Sequence, residues 1–420
     1  MAGTRANPSQ SILSARSLAT ILFVRTVVNL DFRIVYPFLP AIARGLNVPL
    51  EVAGQLVAVQ GGASLVAPLF GHLSDRYGRR RLMEAGLLLL MLAALAVAIS
   101  DQYLPALFAF AGFGVAKALF DPAMQAYIGD AVPYERRGRV FAVTELAWSF
   151  AWLFGVPVSG LLIERVGWQA PWWLLAGLAL VSLLTTRLLL PPARRAPLAK
   201  GERHVPLLGG WATLLRQPKV RALLVVGFGM MFATENVFIV YGAFLEDQFG
   251  LAIGAIGLVS TVIGLAELFG EGGAAAITDR LGKQRSVVLG LLCFGGMLLV
   301  LPWLGGSLAA TLLGFAVMIF FFEYTIVSFI PLVSEVAPHS RATLLSMNVG
   351  MLGAGRMVAP LFGTLLYQRT GALFANSALS AVACLVCAAV AWRWLEETGS
   401  AEVETRNERP LAADDLPAAK

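Results

Sequence analysis

Gly71-His72-Leu73-Ser74-Asp75-Arg76-Tyr77-Gly78-Arg79-Arg80-Arg81 is the stretch from which the rest of the chain can be read. It joins two apolar runs, 52–74 and 82–100, each near the ~20 residues that cross ~30 Å of hydrocarbon as a helix. Gly71 removes a side chain where a neighbouring helix can pack closely, and Gly78 permits a tight turn before the next run. Asp75 at a membrane edge is costly unless arginines or the positive N-terminal end of a helix hold it. The pattern returns 204 residues later as Asp279-Arg280-Leu281-Gly282-Lys283. Arg137 and Arg341 keep the same offset of 204, and Pro157 with Gly160 matches Pro360 with Gly363 at 203. Concordant offsets at separate places predict two halves built on one plan.

Outward from that junction, runs of similar length recur near 18–41, 52–74, 82–100, 104–129, 140–163, 169–190, 221–245, 253–277, 286–306, 309–334, 343–366 and 372–394. The chain of 420 residues is 58% hydrophobic and 14% charged, with mean hydropathy +0.74, against about 25% charged in a soluble domain. A water-soluble enzyme is excluded. The 42 glycines and 21 prolines suit membrane helices, where small residues allow close backbone approach. The expected fold is an all-α membrane protein of twelve transmembrane helices in two pseudo-symmetric six-helix bundles, 18–190 and 221–394. A cytoplasmic linker, 191–220, separates them, flanked by a cytoplasmic N-terminal segment, 1–17, and an acidic tail, 395–420.

Lys and Arg favour cytoplasmic loops. The loops after the even-numbered runs hold eighteen of them, counting Arg221 at the edge of its run, whereas those after the odd-numbered runs hold Arg44, Arg165 and Arg369. This asymmetry predicts a multi-pass protein of the inner membrane with both termini cytoplasmic. The net charge of +6 then describes a basic face beside anionic lipid, not a nucleic-acid surface. No removable signal peptide is read in Met1–Ser17. Cys293, Cys384 and Cys387 fall in apolar runs, and His72, His204 and His339 at separate polar breaks, so no disulfide framework, metal site or cofactor is expected. A phosphate-binding G-x-x-x-x-G-K-[ST] loop is absent from the sequence, which argues against ATP-driven pumping by this chain.

The motif resembles the loop signature of the major facilitator superfamily, G-x-x-x-D-R-x-G-R-[RK]-[RK], at Gly71, Asp75, Arg76, Gly78, Arg79, Arg80 and Arg81. The resemblance extends over 18–394, and Asp121-Pro122-Ala123 through Arg137-Gly138-Arg139 is similar to bacterial drug-efflux-like members. It implies transport by two rocking halves around a central cavity lined by helices 1, 4, 7 and 10. It also implies a cytoplasmic gate at Asp75, Arg76 and Arg79, with a weaker second copy at Asp279 and Arg280, where Ala275 replaces the aligned glycine. A helix 5 hinge is implied at Gly155, Pro157 and Gly160, although Ala151, Val156 and Leu161 depart from the antiporter signature G-x-x-x-G-P-x-x-G-G. The arginine many proton-coupled exporters carry in the outer half of helix 4 is missing from Leu107–Gly112.

Ionisable residues at bilayer depth cost several kcal/mol by most scales and usually face a cavity or a partner. On the runs that the resemblance places around the cavity lie Asp31, Arg33, Lys117, Asp121, Glu235, Asn236, Glu323 and Tyr324. These are the candidate substrate or proton residues. Asp31 and Arg33, two apart, point to different sides of a helix, while Lys117 and Asp121, four apart, can pair. Glu145, Glu267, Glu271 and Arg356 form a possible coupling network, in which the like-charged Glu267 and Glu271 need a proton or a base such as Arg356. Tyr36, Trp148, Trp152, Phe232, Phe238 and Phe320–Phe322 are read either as an amphipathic pocket or as packing.

The expected activity is secondary active transport: proton-coupled efflux of a small amphipathic or organic compound by a monomer in the lipid bilayer. The alternative is a symporter or uniporter for uptake of a polar or anionic metabolite, held by Arg33 and Lys117. An enzyme should show a nucleophile and base at matched depth, and neither is found. A receptor that moves no solute is the remaining alternative.

Overall fold

The computed structural model describes residues 13–66, 77–191, 207–337 and 340–395, and contains no strand among them. Its helices are α1 (Ala15–Gly45), α2 (Leu50–Ala63), α3 (Arg79–Ile99), α4 (Tyr103–Ala131), α5 (Tyr134–Phe150), α6 (Val156–Arg165), α7 (Ala170–Leu189), α8 (Leu207–Leu215), α9 (Pro218–Phe238), α10 (Tyr241–Phe249), α11 (Ile253–Val259), α12 (Thr261–Leu281), α13 (Lys283–Val300), α14 (Leu308–Val336), α15 (Arg341–Thr370) and α16 (Phe374–Trp394). Ten helical segments among the described residues are long and apolar enough to cross a bilayer. α1 and the described part of α2 are not in that set. α1 has 31 residues, about 46 Å at the helical rise, but carries Arg25, Asp31 and Arg33; α2 has 14.

Local chemistry accounts for the element ends. The Ser14 hydroxyl accepts from Ser17 N at 3.1 Å and caps α1, satisfying one of the amides that a helix start leaves free. Gly78 (φ +97°) precedes α3 and Gly282 (φ +91°) precedes α13, so the paired glycines of the repeat share a backbone state closed to most side chains. Pro157 has no N–H to give Leu153, and the helix passes from α5 to α6 through a π turn, Ala151–Gly155, in which Val156 N donates to Ala151 O.

Three differences from the expected spans matter. The run 221–245 breaks between α9 and α10 at Ile239 and Val240. The run 253–277 is interrupted at Ser260, between α11 and α12. The linker, read as a break between the apolar runs, contains α8, whose Leu214 is buried and whose Trp211 packs on the core.

Within the first half of the sequence α3 packs on α4 and α7, and α2 on α4; within the second, α9 packs on α15 and α16, and α12 on α14. The halves meet where α2 lies along α15, α6 along α11 and α1 along α10. At the α6–α11 contact a Cβ built on Gly160 would lie 3.1 Å from the Gly257 Cα and 3.1 Å from the Ile253 carbonyl. Glycine lets the two backbones approach this closely without displacing either.

Candidate functional site

Between the sequence halves lies a cavity of about 410 Å³. α1 contributes Arg25, Phe32, Arg33 and Tyr36, which recur at helical spacing along one face. α4 adds Lys117, Asp121 and Gln125, α5 adds Glu145 and Trp148, and the π turn adds Trp152. From the second half come Thr234, Glu235 and Phe238 of α9, Glu267 and Glu271 of α12, Phe322 and Glu323 of α14, and Arg356 of α15.

Its charges are arranged in pairs. Arg25 Nη1 lies 2.8 Å from Glu145 Oε1, and Lys117 Nζ lies 3.0 Å from Asp121 Oδ2 while also donating to Asn29 Oδ1 at 2.5 Å. Two links cross between the halves. Arg33 of α1 pairs with Glu267 of α12. Glu235 accepts from Arg356 Nε at 2.8 Å and from the Tyr36 hydroxyl at 2.5 Å. Trp148 stands at the centre of the bases: Lys117 Nζ is 4.3 Å, Arg33 Cζ 4.6 Å and Arg356 Cζ 5.9 Å from its ring centroid, within cation–π range.

Of the residues expected in the cavity, Arg33, Lys117, Asp121, Glu235 and Glu323 line it, and Glu145, Glu267, Glu271 and Arg356 line the same space rather than a separate network. Three do not. Asp31 is fully buried on the opposite side of α1, accepting from Gln60 Nε2 of α2 at 3.0 Å and from Phe32 N at 2.7 Å, as its two-residue offset from Arg33 dictates. Asn236 is fully buried and donates to the Asn376 carbonyl and Ser380 Oγ, both at 3.0 Å, clamping α9 to α16. Tyr324 is buried off the cavity. The base that holds Glu267 is Arg33 and not Arg356, which is taken by Glu235.

The sequence reading puts Arg25 within the first apolar run but does not count it, or Gln125, among the cavity residues. Arg25 precedes Arg33 by eight residues, which puts the two on one helix face, so spacing alone carried the signal for it. Gln125 had none. Gly71, Asp75 and Arg76 of the expected gate lie outside the described residues. Arg79 Nε is 3.3 Å from Asp130 Oδ2, and Asp279 and Arg280 are exposed at the end of α12. Of the expected hinge, Gly155 closes the π turn against Leu30, Pro157 opens α6, and Gly160 makes the α11 contact. A second cavity of about 420 Å³ lies among α10, the turn 301–306 and the start of α16. Its polar groups bond one another, Tyr367 to Asp247 at 2.9 Å and Gln248 to the Gly305 carbonyl at 3.0 Å.

The sequence pattern of the Major Facilitator Superfamily matches residues 21–241 and again 223–418. The chain belongs to the major facilitator superfamily. As such it is a membrane-embedded, multi-pass transporter of small molecules and not an enzyme. Relatives in this superfamily include the uncharacterized MFS-type transporter YceJ of Bacillus subtilis (strain 168), 24% identical over 91% of this chain and 97% of that protein. Multidrug resistance protein 2 of the same organism is 22% identical over 86% of this chain and 91% of its own length. The D-xylose transporter of Levilactobacillus brevis is 24% identical over 64% and 67%. Among solved structures, a bacterial homologue of the human lysosomal transporter Spinster, inward-facing and unoccupied, superposes with a TM-score of 0.72 at 13% identity, covering 93% of this chain and 98% of that one.

Proposed function

We propose that this superfamily member is a secondary active transporter working by alternating access, which exports a small amphipathic or organic compound in exchange for protons. The observation that carries the reading is the cavity itself, lined from both halves of the sequence, aromatic on its walls and supplied with ten ionisable acids and bases. Such groups at bilayer depth mark substrate and ion pathways, and an apolar hollow with a few convergent polar groups is the usual form of a small-molecule site.

In this reading the twelve runs are twelve crossings in two bundles, 18–190 and 221–394, joined by the linker 191–220, in an inner-membrane monomer with both ends cytoplasmic. The repeat offset of 204 and the basic bias of alternate loops support that arrangement. Asp75, Arg76 and Arg79, with Asp279 and Arg280, form the cytoplasmic gate, and Gly155, Pro157 and Gly160 form the hinge. Glu235, Glu267, Glu271 and Glu323 are the proton acceptors. Protonating Glu267 would release Arg33 and with it one link between the halves, which connects proton binding to rocking. Uptake of an anionic metabolite has less support, because each lining base already holds a carboxylate.

The test is dye or drug efflux from reconstituted vesicles under an imposed pH gradient. Flux is expected to follow the gradient and stop when it is dissipated, and Glu267→Gln to lower it by about tenfold or more, roughly 1.4 kcal/mol. Wild-type flux indifferent to the gradient would overturn proton exchange. No flux with any compound would favour the receptor.

A further inference from the structure

The charge balance of the cavity deepens the proposal above and rests on it. Four bases line the space, and each has its own carboxylate within ion-pair distance: Arg25 with Glu145, Arg33 with Glu267, Lys117 with Asp121, and Arg356 with Glu235. Two lining acids are left over, Glu271 of α12 and Glu323 of α14. Neither has a base of its own among the described residues. Glu271 has no hydrogen bond there either, and Glu323 stands against the already occupied Glu267.

A second observation lies beside this pair. Glu267 is 2% exposed, and while its Oε1 takes Arg33, its Oε2 has no donor unless Glu323, which stands against Glu267, carries a proton. A buried acceptor without a donor is expensive to leave so, and this one belongs to a side chain that lines the cavity. The walls around the acids are aromatic: Phe32, Trp148, Trp152, Phe238 and Phe322. Faces of that kind attract a positive charge and accept an apolar body. Among the described residues no three acids, histidines or cysteines converge as metal ligands, which favours a bulky cation over a small hard one.

We infer that the transported compound is an amphipathic organic cation, its charge held by Glu271 and Glu323 and its apolar body against the aromatic wall. Proton and substrate then compete for the same two carboxylates, which is what obligatory exchange requires. The charged groups facing them are Glu267 on α12, Arg33 and Arg25 on α1, Glu145 on α5 and Arg356 on α15. All five are engaged in the pairs above, so the two unpaired acids set the sign of the site.

Tetraphenylphosphonium and tetraphenylborate, alike in shape and opposite in charge, test this with the full chain in lipid nanodiscs by equilibrium dialysis. The phosphonium is expected to bind about tenfold or more tighter than the borate, and Glu271→Gln and Glu323→Gln each to weaken it about tenfold, with Glu323→Asp within about threefold of wild type. Glu271, which has no partner to lose, carries the test if Glu323→Gln does not fold. Borate binding as tight as phosphonium, or phosphonium affinity unchanged in the Glu271→Gln variant, would overturn the inference. Gradient-driven flux of neutral or anionic compounds alone would sink the cation and leave the transporter; absence of all flux would sink the transporter.

Discussion

At the scale of single residues, the contact among Glu235, Arg356 and Tyr36 shows how the cavity holds charge at depth. One carboxylate takes a guanidinium from α15 and a hydroxyl from α1, so its two oxygens are each answered. Removing the base alone strands a buried anion, at a cost of about 3–5 kcal/mol, whereas replacing both partners by apolar groups of similar volume is often neutral. Arg356→Met is therefore expected to lower the thermal midpoint in detergent clearly, and Arg356→Met with Glu235→Leu to recover most of the loss. A double variant no more stable than the single one would show that the pair is not the source. The sequence offered the members of this contact but not their partners. Periodicity tells which residues share a helix face, so it separated Asp31 from Arg33; it says nothing about which face of another helix is opposite. That is why the sequence alone offers Arg356 as a base for Glu267 or Glu271 and counts Asn236 among the cavity residues.

At the scale of elements, the α6–α11 contact is one of the close approaches between the halves at which a glycine sits, as Gly242 of α10 does against the Pro37 carbonyl of α1. A side chain at position 160 would meet the Gly257 Cα, the Ile253 carbonyl and Phe38 within 3.1 Å. Overpacking of this kind costs about 1–3 kcal/mol, or a factor of roughly 5–150 in a two-state balance. Gly160→Leu is expected to lower vesicle flux by such a factor with the protein still folded and monodisperse, and Gly160→Ala to lower it less. Equal flux in all three would mean that α6 and α11 need not close this far. Pro157 announced an irregularity in this helix, though the form it takes, a π turn, depends on which carbonyl finds a donor. The break between α9 and α10 had no such marker, since Ile239 and Val240 are apolar residues inside an apolar run and only tertiary packing distinguishes them.

For the molecule as a whole, the repeat and the twelve apolar runs made the helical class legible at once, because length and hydropathy are set by the solvent and not by partners. α8 was hidden by its polar neighbourhood. Its Trp211 and Leu214 pack on the core, and it contacts both α9 and α15, so it belongs structurally to the second half. The downstream end of the connector is thus a fixed foot on the second half. A chain divided ahead of Leu207 would carry its own clasp on the downstream fragment. Two separately expressed pieces, 1–206 and 207–420, are expected to reassemble in the membrane and co-purify, while a cut after Leu215 would leave α8 on the wrong fragment and lower the yield of complex. Equal recovery from both cuts would mean that α8 holds nothing in place.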